Sequence, residues 1–112
     1  MTTAPPPALP APIEAYITAK QRLDAEAILA PFAPDAVVGD ERRSHRGTEE
    51  IRAWILEATI ANKAVPRVTG YRLDGEKHVV EAEVSGAFAG SPVNLSFRFG
   101  LRDNQIATLE IA

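Results

Sequence analysis

Four apolar-alternating runs fill the second half of the chain and constrain its fold more than any other feature. Residues 65–73, 78–89, 93–102 and 105–111 are each of strand length, and Asp74–Gly75, Gly90–Ser91–Pro92 and Asp103–Asn104 separate them. Those separators are turn formers, so each run is predicted to fold back on the one before as an antiparallel meander. Strand side chains alternate between faces. Val80, Ala82, Val84 and Phe88 alternate with Glu81, Glu83 and Ser85, and Leu95, Phe97, Phe99 and Leu101 alternate with Ser96, Arg98 and Arg102. The sheet therefore has one apolar, concave face and one polar face. On the polar face Glu83 and Arg98 are expected roughly opposite each other, with Glu81 and Arg102 as neighbours, and cross-strand pairing accounts for them without catalysis.

An apolar sheet face needs a cover, and the first half of the chain supplies helices. Pro12 suits a first helical turn, with Ile13, Tyr16, Ile17 and Leu23 following at helical spacing and Glu14 near the positive end of the dipole. Asp24 is placed to cap a short second helix through Ala25, Ile28 and Leu29, which ends before Pro31. Phe32 then enters the core, and an extended segment runs through Ala36, Val37 and Val38 to Asp40. A third helix is predicted after Gly47, with Thr48 as a possible cap, Glu49 and Glu50 in its first turn, and a buried stripe of Ile51, Trp54, Ile55 and Ala58. Helices first and strands after is an α+β order. Residues 1–12, which hold five of the nine prolines, are expected to form a flexible tail, leaving residues 13–112 as a single domain.

Composition narrows the function classes. With 112 residues, 46% hydrophobic and 24% charged, the chain can bury one core. A net charge of −3 argues against a nucleic-acid surface, which needs a basic excess. The absence of cysteine excludes disulfides and thiolate chemistry, and two histidines are too few for a histidine-rich metal site. No stretch approaches the roughly 20 apolar residues of a membrane span. The N-terminus lacks the basic start and apolar run of a signal peptide, so a cytoplasmic location is the default expectation. A small apolar ligand, with no metal and no cofactor, is the expected partner.

Within that frame Asp40 is the leading candidate for chemistry. It shares a strand face with Val38, so any wall that Val38 lines also receives a carboxylate. Burial in an apolar cavity destabilises an ionised carboxylate and tunes it towards proton transfer at neutral pH. Tyr16, on the apolar side of the first helix, could hold a carbonyl or enolate oxygen for it. The structural alternative is that Asp40 accepts turn amides at 41–43 or pairs with Arg42, Arg43 or Arg46, with Tyr16 an ordinary core aromatic. His45 could relay a proton, but simple alternation over five residues places it opposite Asp40, on the surface among arginines. His78 is expected to face solvent.

The order of elements, the FAPDAVV strand, the RGTEEIRAWI helix start and a meander ending in FRF together resemble the nuclear transport factor 2-like superfamily, over residues 13–112. That resemblance implies a cone-like α+β barrel with a pocket between helices and sheet, and a homodimer through the outer sheet face. Within the superfamily the chain is similar to ketosteroid isomerases and SnoaL-like polyketide cyclases. The resemblance places Tyr16 as oxyanion donor and Asp40 as general base. It departs at the isomerase's second donor, a protonated aspartic acid, whose position here is Leu95, and Ile55 offers no hydroxyl to support Tyr16. The implied pocket wall is Phe32, Val38, Trp54, Ile55, Phe88, Leu95, Phe97 and Phe99. Two function classes follow: a cofactor-free isomerase, dehydratase or cyclase acting on an apolar carbonyl compound, or a binding or accessory domain without turnover.

Overall fold

The computed structural model describes residues 9–40 and 42–112. Helix α1 spans Ala11–Gln21, with Pro10 at the cap and Pro12 in the first turn, where helix N–H groups lack partners and a missing donor does no harm. The helix therefore takes in the last two residues of the expected tail; residues 1–8 lie outside the described residues. Its buried side carries Ile13, Tyr16, Ile17 and Lys20 at the 3- and 4-residue spacing of one helical face. Leu23, expected on that stripe, instead sits past the helix end at φ 53°, where the chain turns into α2, Ala25–Leu29. Asp24 caps α2 as expected, its Oδ1 accepting from the Ala27 N–H at 3.2 Å.

Strand β1, Phe32–Asp40, folds back on β2, Arg43–Arg46, a short strand that the sequence pattern does not announce. Pairing of β1 with its other neighbour shifts register between Phe32 and Val37, around Pro34, which has no N–H for the ladder. Helix α3, Gly47–Trp54, begins one residue before Thr48, so Thr48 is not its cap. The entry is closed from inside the helix, where Glu50 accepts from the Arg46 N–H at 2.9 Å. Past Trp54 the helix widens into a π-helical segment, Ile55–Ile60, and the Ala61 N–H reaches back to the Leu56 carbonyl. Ile51, Trp54 and Ile55 are buried and Ala58 is half-buried, which is the predicted stripe.

The meander follows as β3 (Val65–Asp74), β4 (Lys77–Ser85), β5 (Val93–Arg102) and β6 (Gln105–Ile111). All six strands form one curved sheet in the order β2-β1-β6-β5-β4-β3, with β1 parallel to β6 and every other pair antiparallel. The sheet is open, β2 and β3 being its edges, and the three helices complete the α+β enclosure. Tyr16 is fully buried beneath it, edge-on to Phe32 at 5.6 Å and to Phe99 at 5.5 Å between ring centroids. Edge-on aromatic pairs of this kind add about 0.5–1.5 kcal/mol each beyond the area they bury. Among the described residues no helix is long and apolar enough to cross a membrane.

Two details of the meander differ from the expectation. Strand β4 stops at Ser85, not at residue 89, because Gly86 passes against the end of the π-helical segment. A Cβ there would stand 2.5 Å from the Asn62 carbonyl oxygen, and the next N–H, of Ala87, donates to that same oxygen at 2.7 Å. The longer loop moves the register, so Glu83 faces Asn94 and Arg98 faces Val79. Glu83 pairs instead with Arg67, Arg98 with Asp74, and Arg102 with Asp35.

Candidate functional site

A cavity of about 600 Å³ opens between α1, the β1–β2 hairpin, the α3–π junction, β5 and the loop after β4. Its apolar wall includes Trp54, Val84, Phe88, Leu95 and Phe97, and Lys20, Asp40 and His45 are among its polar groups. Arg43, Glu57, Thr59 and Asn62 complete the polar lining. A more open depression of about 770 Å³ lies between α1, α2 and the β5–β6 turn, but it is lined largely by alanines, prolines and polar groups at the surface. Chemistry concentrates in the first cavity.

Asp40 ends β1, and its half-buried carboxylate is held by the indole, Trp54 Nε1–H donating to Oδ2 at 3.0 Å. An N–H bond to a carboxylate is stronger than a neutral one and fixes the orientation of the acid. Among the described residues Asp40 makes no side-chain bond to the amides of residues 42 and 43 and no ion pair with Arg42, Arg43 or Arg46, while residue 41 of that turn lies outside them. His45 belongs to the same site. It is 9% exposed, with its ring 5.9 Å from that of Trp54. The two-residue turn pairs Val38 with His45 and Asp40 with Arg43. Directly paired residues share a face, so the turn resets the alternation that would have sent His45 outwards.

Lys20 is the group that sequence reasoning missed. It is 4% exposed, lines the cavity from the last turn of α1, and donates to the Tyr16 hydroxyl at 3.3 Å. Its Nζ lies 5.2 Å from the centre of the Tyr16 ring and 5.1 Å from that of Phe97. Aromatic faces attract a cation, but they do not replace the water it has lost. Burial accordingly pushes the Lys20 ammonium down to about 8, while the charge of Asp40 partly holds it up. Burial, and secondarily Asp40, raises the Tyr16 phenol far above its usual range, so it stays neutral. The available signal was spacing: Lys20 falls four residues after Tyr16, on the buried stripe and not opposite it.

Of the residues singled out from sequence, Asp40, Trp54, Phe88, Leu95 and Phe97 line the cavity. Tyr16, Phe32, Val38, Ile55 and Phe99 do not; all five are packed in the core behind it. The separation has a simple cause. Lys20 stands at the cavity wall and bonds to the Tyr16 hydroxyl, while Phe32 and Phe99 close around the Tyr16 ring. His78, expected in solvent, is half-buried, with its Nδ1 2.7 Å from the Tyr71 hydroxyl and its ring stacked on that tyrosine, away from this site. Among the described residues no group of three or more His, Cys, Asp or Glu is placed to hold a metal ion.

Comparison with known proteins places this geometry in context. A profile of the SnoaL-like domain matches residues 13–109. Among solved structures, a candidate polyketide cyclase from Sinorhizobium meliloti is 41% identical, with a TM-score of 0.86 over 93% of this chain and 95% of that one. A hypothetical protein of ketosteroid isomerase-like fold from Catenulispora acidiphila, in complex with trimethylamine, is 20% identical, with a TM-score of 0.78 over 94% of this chain and 86% of that one. A computationally designed 17-OHP binder is 15% identical, with a TM-score of 0.77 over 90% and 87%. The last two show a shared fold only. A search of curated proteins found no match.

Proposed function

The chain belongs to the SnoaL-like domain family, and from that premise we propose that it is a cofactor-free proton-transfer enzyme acting on an apolar carbonyl compound. The observation that carries this reading is the convergence of Asp40 and Lys20 on one cavity whose remaining wall is largely apolar. Asp40 is the base, oriented by Trp54. Lys20 takes the part that sequence reasoning gave to Tyr16, stabilising the enolate oxygen that forms as the proton leaves, with the Tyr16 hydroxyl behind it. A charged donor in a water-poor site stabilises such an oxyanion more than it would in water.

Abstraction of a proton next to a carbonyl is the first step of isomerisation, of some dehydrations and of aldol-type cyclisation. The 41% identity to a candidate polyketide cyclase favours the last. Leu95, on the cavity wall, supplies no second donor, which weighs against steroid isomerisation. A homodimer through the outer sheet face belongs to the same proposal; a monomer by light scattering at micromolar concentration would remove it. The central test follows deuterium exchange next to the carbonyl in a panel of apolar ketones by NMR. Exchange in Asp40→Asn is expected to fall by roughly 10²–10⁴-fold. Exchange unchanged in that variant rejects Asp40 as the base.

A further inference from the structure

We infer that Lys20 is a covalent attachment point: its amine condenses with an aldehyde or small ketone in the cavity to give an iminium ion. This inference rests on the proposed proton-transfer site and names the substrate class that the site would take, with Lys20 activating the carbonyl as an iminium in place of the enolate-oxygen contact given above. Three geometric facts carry it. Lys20 lines the cavity although the residue is almost wholly buried. It takes part in none of the ion pairs among the described residues, so none of their carboxylates ties up the nitrogen. Its one side-chain hydrogen bond among the described residues, to the Tyr16 hydroxyl, is long at 3.3 Å and joins it to a neutral group.

The groups around it come from every neighbouring element. Tyr16 shares its helix and Phe97 faces it from β5, while Asp40 on β1, Arg43 and His45 on β2, and Glu57 after α3 line the same cavity. The amine carries a proton in part of the population at neutral pH, and only the deprotonated form attacks. With its pKa near 8, the free-amine fraction below that pH exceeds that of an ordinary lysine by on the order of a hundredfold.

The chemistry balances without any redox partner. The Nζ lone pair forms a bond to the carbonyl carbon as the C=O π pair moves to oxygen, which takes up the proton that the ammonium released, and the nitrogen gives up a second one to Asp40. Asp40 returns that proton to the carbinolamine oxygen, which leaves as water while the nitrogen lone pair closes the C=N bond, so that Asp40 is a carboxylate again. One ammonium and one carbonyl have become one iminium and one water. An iminium withdraws electrons from the neighbouring carbon more strongly than a ketone does. Asp40 can then take the proton from that carbon and leave an enamine.

The test uses the full chain, benzaldehyde as the probe, and cyanoborohydride to reduce any imine to a stable secondary amine. Intact mass and peptide mapping locate the added benzyl group. Lys63, Lys77 and the amino terminus are the competing amines. The benzyl group is expected on Lys20 at least about tenfold faster than on exposed Lys63 at pH 7. Label on Lys63, Lys77 or the amino terminus without enrichment at Lys20 overturns the inference, and this result needs no variant to fold. Lys20→Arg, which keeps the charge but cannot form the imine, is expected to lose the fast label and the ketone exchange together. Exchange that persists in Lys20→Arg and is lost in Asp40→Asn overturns the imine while leaving the proton-transfer reading in place. Exchange insensitive to Asp40→Asn, with Lys20 still labelled, removes the base and keeps the attachment point.

Discussion

The two faces of the sheet treat charge in opposite ways. On the outer face nearly every charged group has a partner: Glu81 accepts from Arg72 at 2.9 Å and from the Ser96 hydroxyl at 2.7 Å, and Lys77 donates to Thr108 at 3.0 Å. On the inner face Lys20 has a phenol and two ring faces, and Asp40 has an indole. Glu81 is held below the usual carboxylate range by the Ser96 hydroxyl first and Arg72 second, whereas Lys20 is pushed down by burial. The partners of Glu81 on the outside hold it in its ordinary charge state. Loss of water on the inside brings a charge state within reach of neutral pH, which is the condition for acid–base work.

The largest expected difference between the faces is in stability. Tyr16→Ala removes a fully buried ring packed between Phe32 and Phe99 and is expected to cost about 3–5 kcal/mol in urea unfolding. A loss near that of an outer-face substitution would mean that the inner face is not a packed core. The next effect is the pH dependence that Lys20 imposes. Its pKa falls from 10.5 to about 8 on folding, so between those values the unfolded chain binds the extra proton. Stability must therefore rise with pH across that window, by on the order of 3 kcal/mol in full. Tyr16 opposes the rise above pH 10, where the unfolded phenol ionises and the buried one does not. The gain is thus expected from about pH 8 to 10, and Lys20→Met should flatten it. An equal slope in that variant would show that Lys20 is solvated.

This contrast between faces explains what could be read from the sequence. The alternation in residues 65–111 and the Asp24 cap were legible because each rests on local rules: period two, period 3.6, and a side chain bonding three residues on. Asp40 and Trp54 were legible as candidates for the same reason, since each sits on an apolar stripe. The bond between them was not, because the sheet and α3 meet only in three dimensions. Lys20 was passed over because a charged residue at a helix end reads as solvated, although its spacing from Ile13, Tyr16 and Ile17 placed it inside. His45 was assigned to the surface by counting along one strand, whereas a two-residue hairpin turn returns it to the face of Val38. Phe88 reached the cavity by a different route from the one expected. The close approach of Gly86 to Asn62 ends the strand, and a loop carries the ring to the wall.

Smaller effects sharpen the comparison. Trp54→Phe keeps the bulk of the wall but removes the donor to Asp40, which is half-buried and therefore still partly hydrated. The expected loss is about 1.5 kcal/mol, the lower end for a bond to a charged group. Its kinetic mark should be a lower kcat for ketone exchange with little change in KM, because the base is misdirected and the apolar wall is kept. A rise in KM alone would make Trp54 a binding residue and leave Asp40 oriented by something else.

Glu81→Gln is the outer-face counterpart and the smallest effect. It removes the charge facing Arg72 but keeps an acceptor for Ser96. The Glu81 side chain is 38% exposed and that of Arg72 59%, so solvent screens the pair, and the loss should be under about 1 kcal/mol. The sign with pH is opposite to that of Lys20. Because the folded-state pKa is lowered, the Glu81 contribution is present above the unfolded value and lost as pH falls through the folded one. Wild type and Glu81→Gln should therefore differ in stability at pH 7 and converge in acid, with added salt narrowing the gap at pH 7. A gap that persists in acid would show that the contribution does not come from the carboxylate charge, and the outer face would then hold its groups by geometry more than by charge.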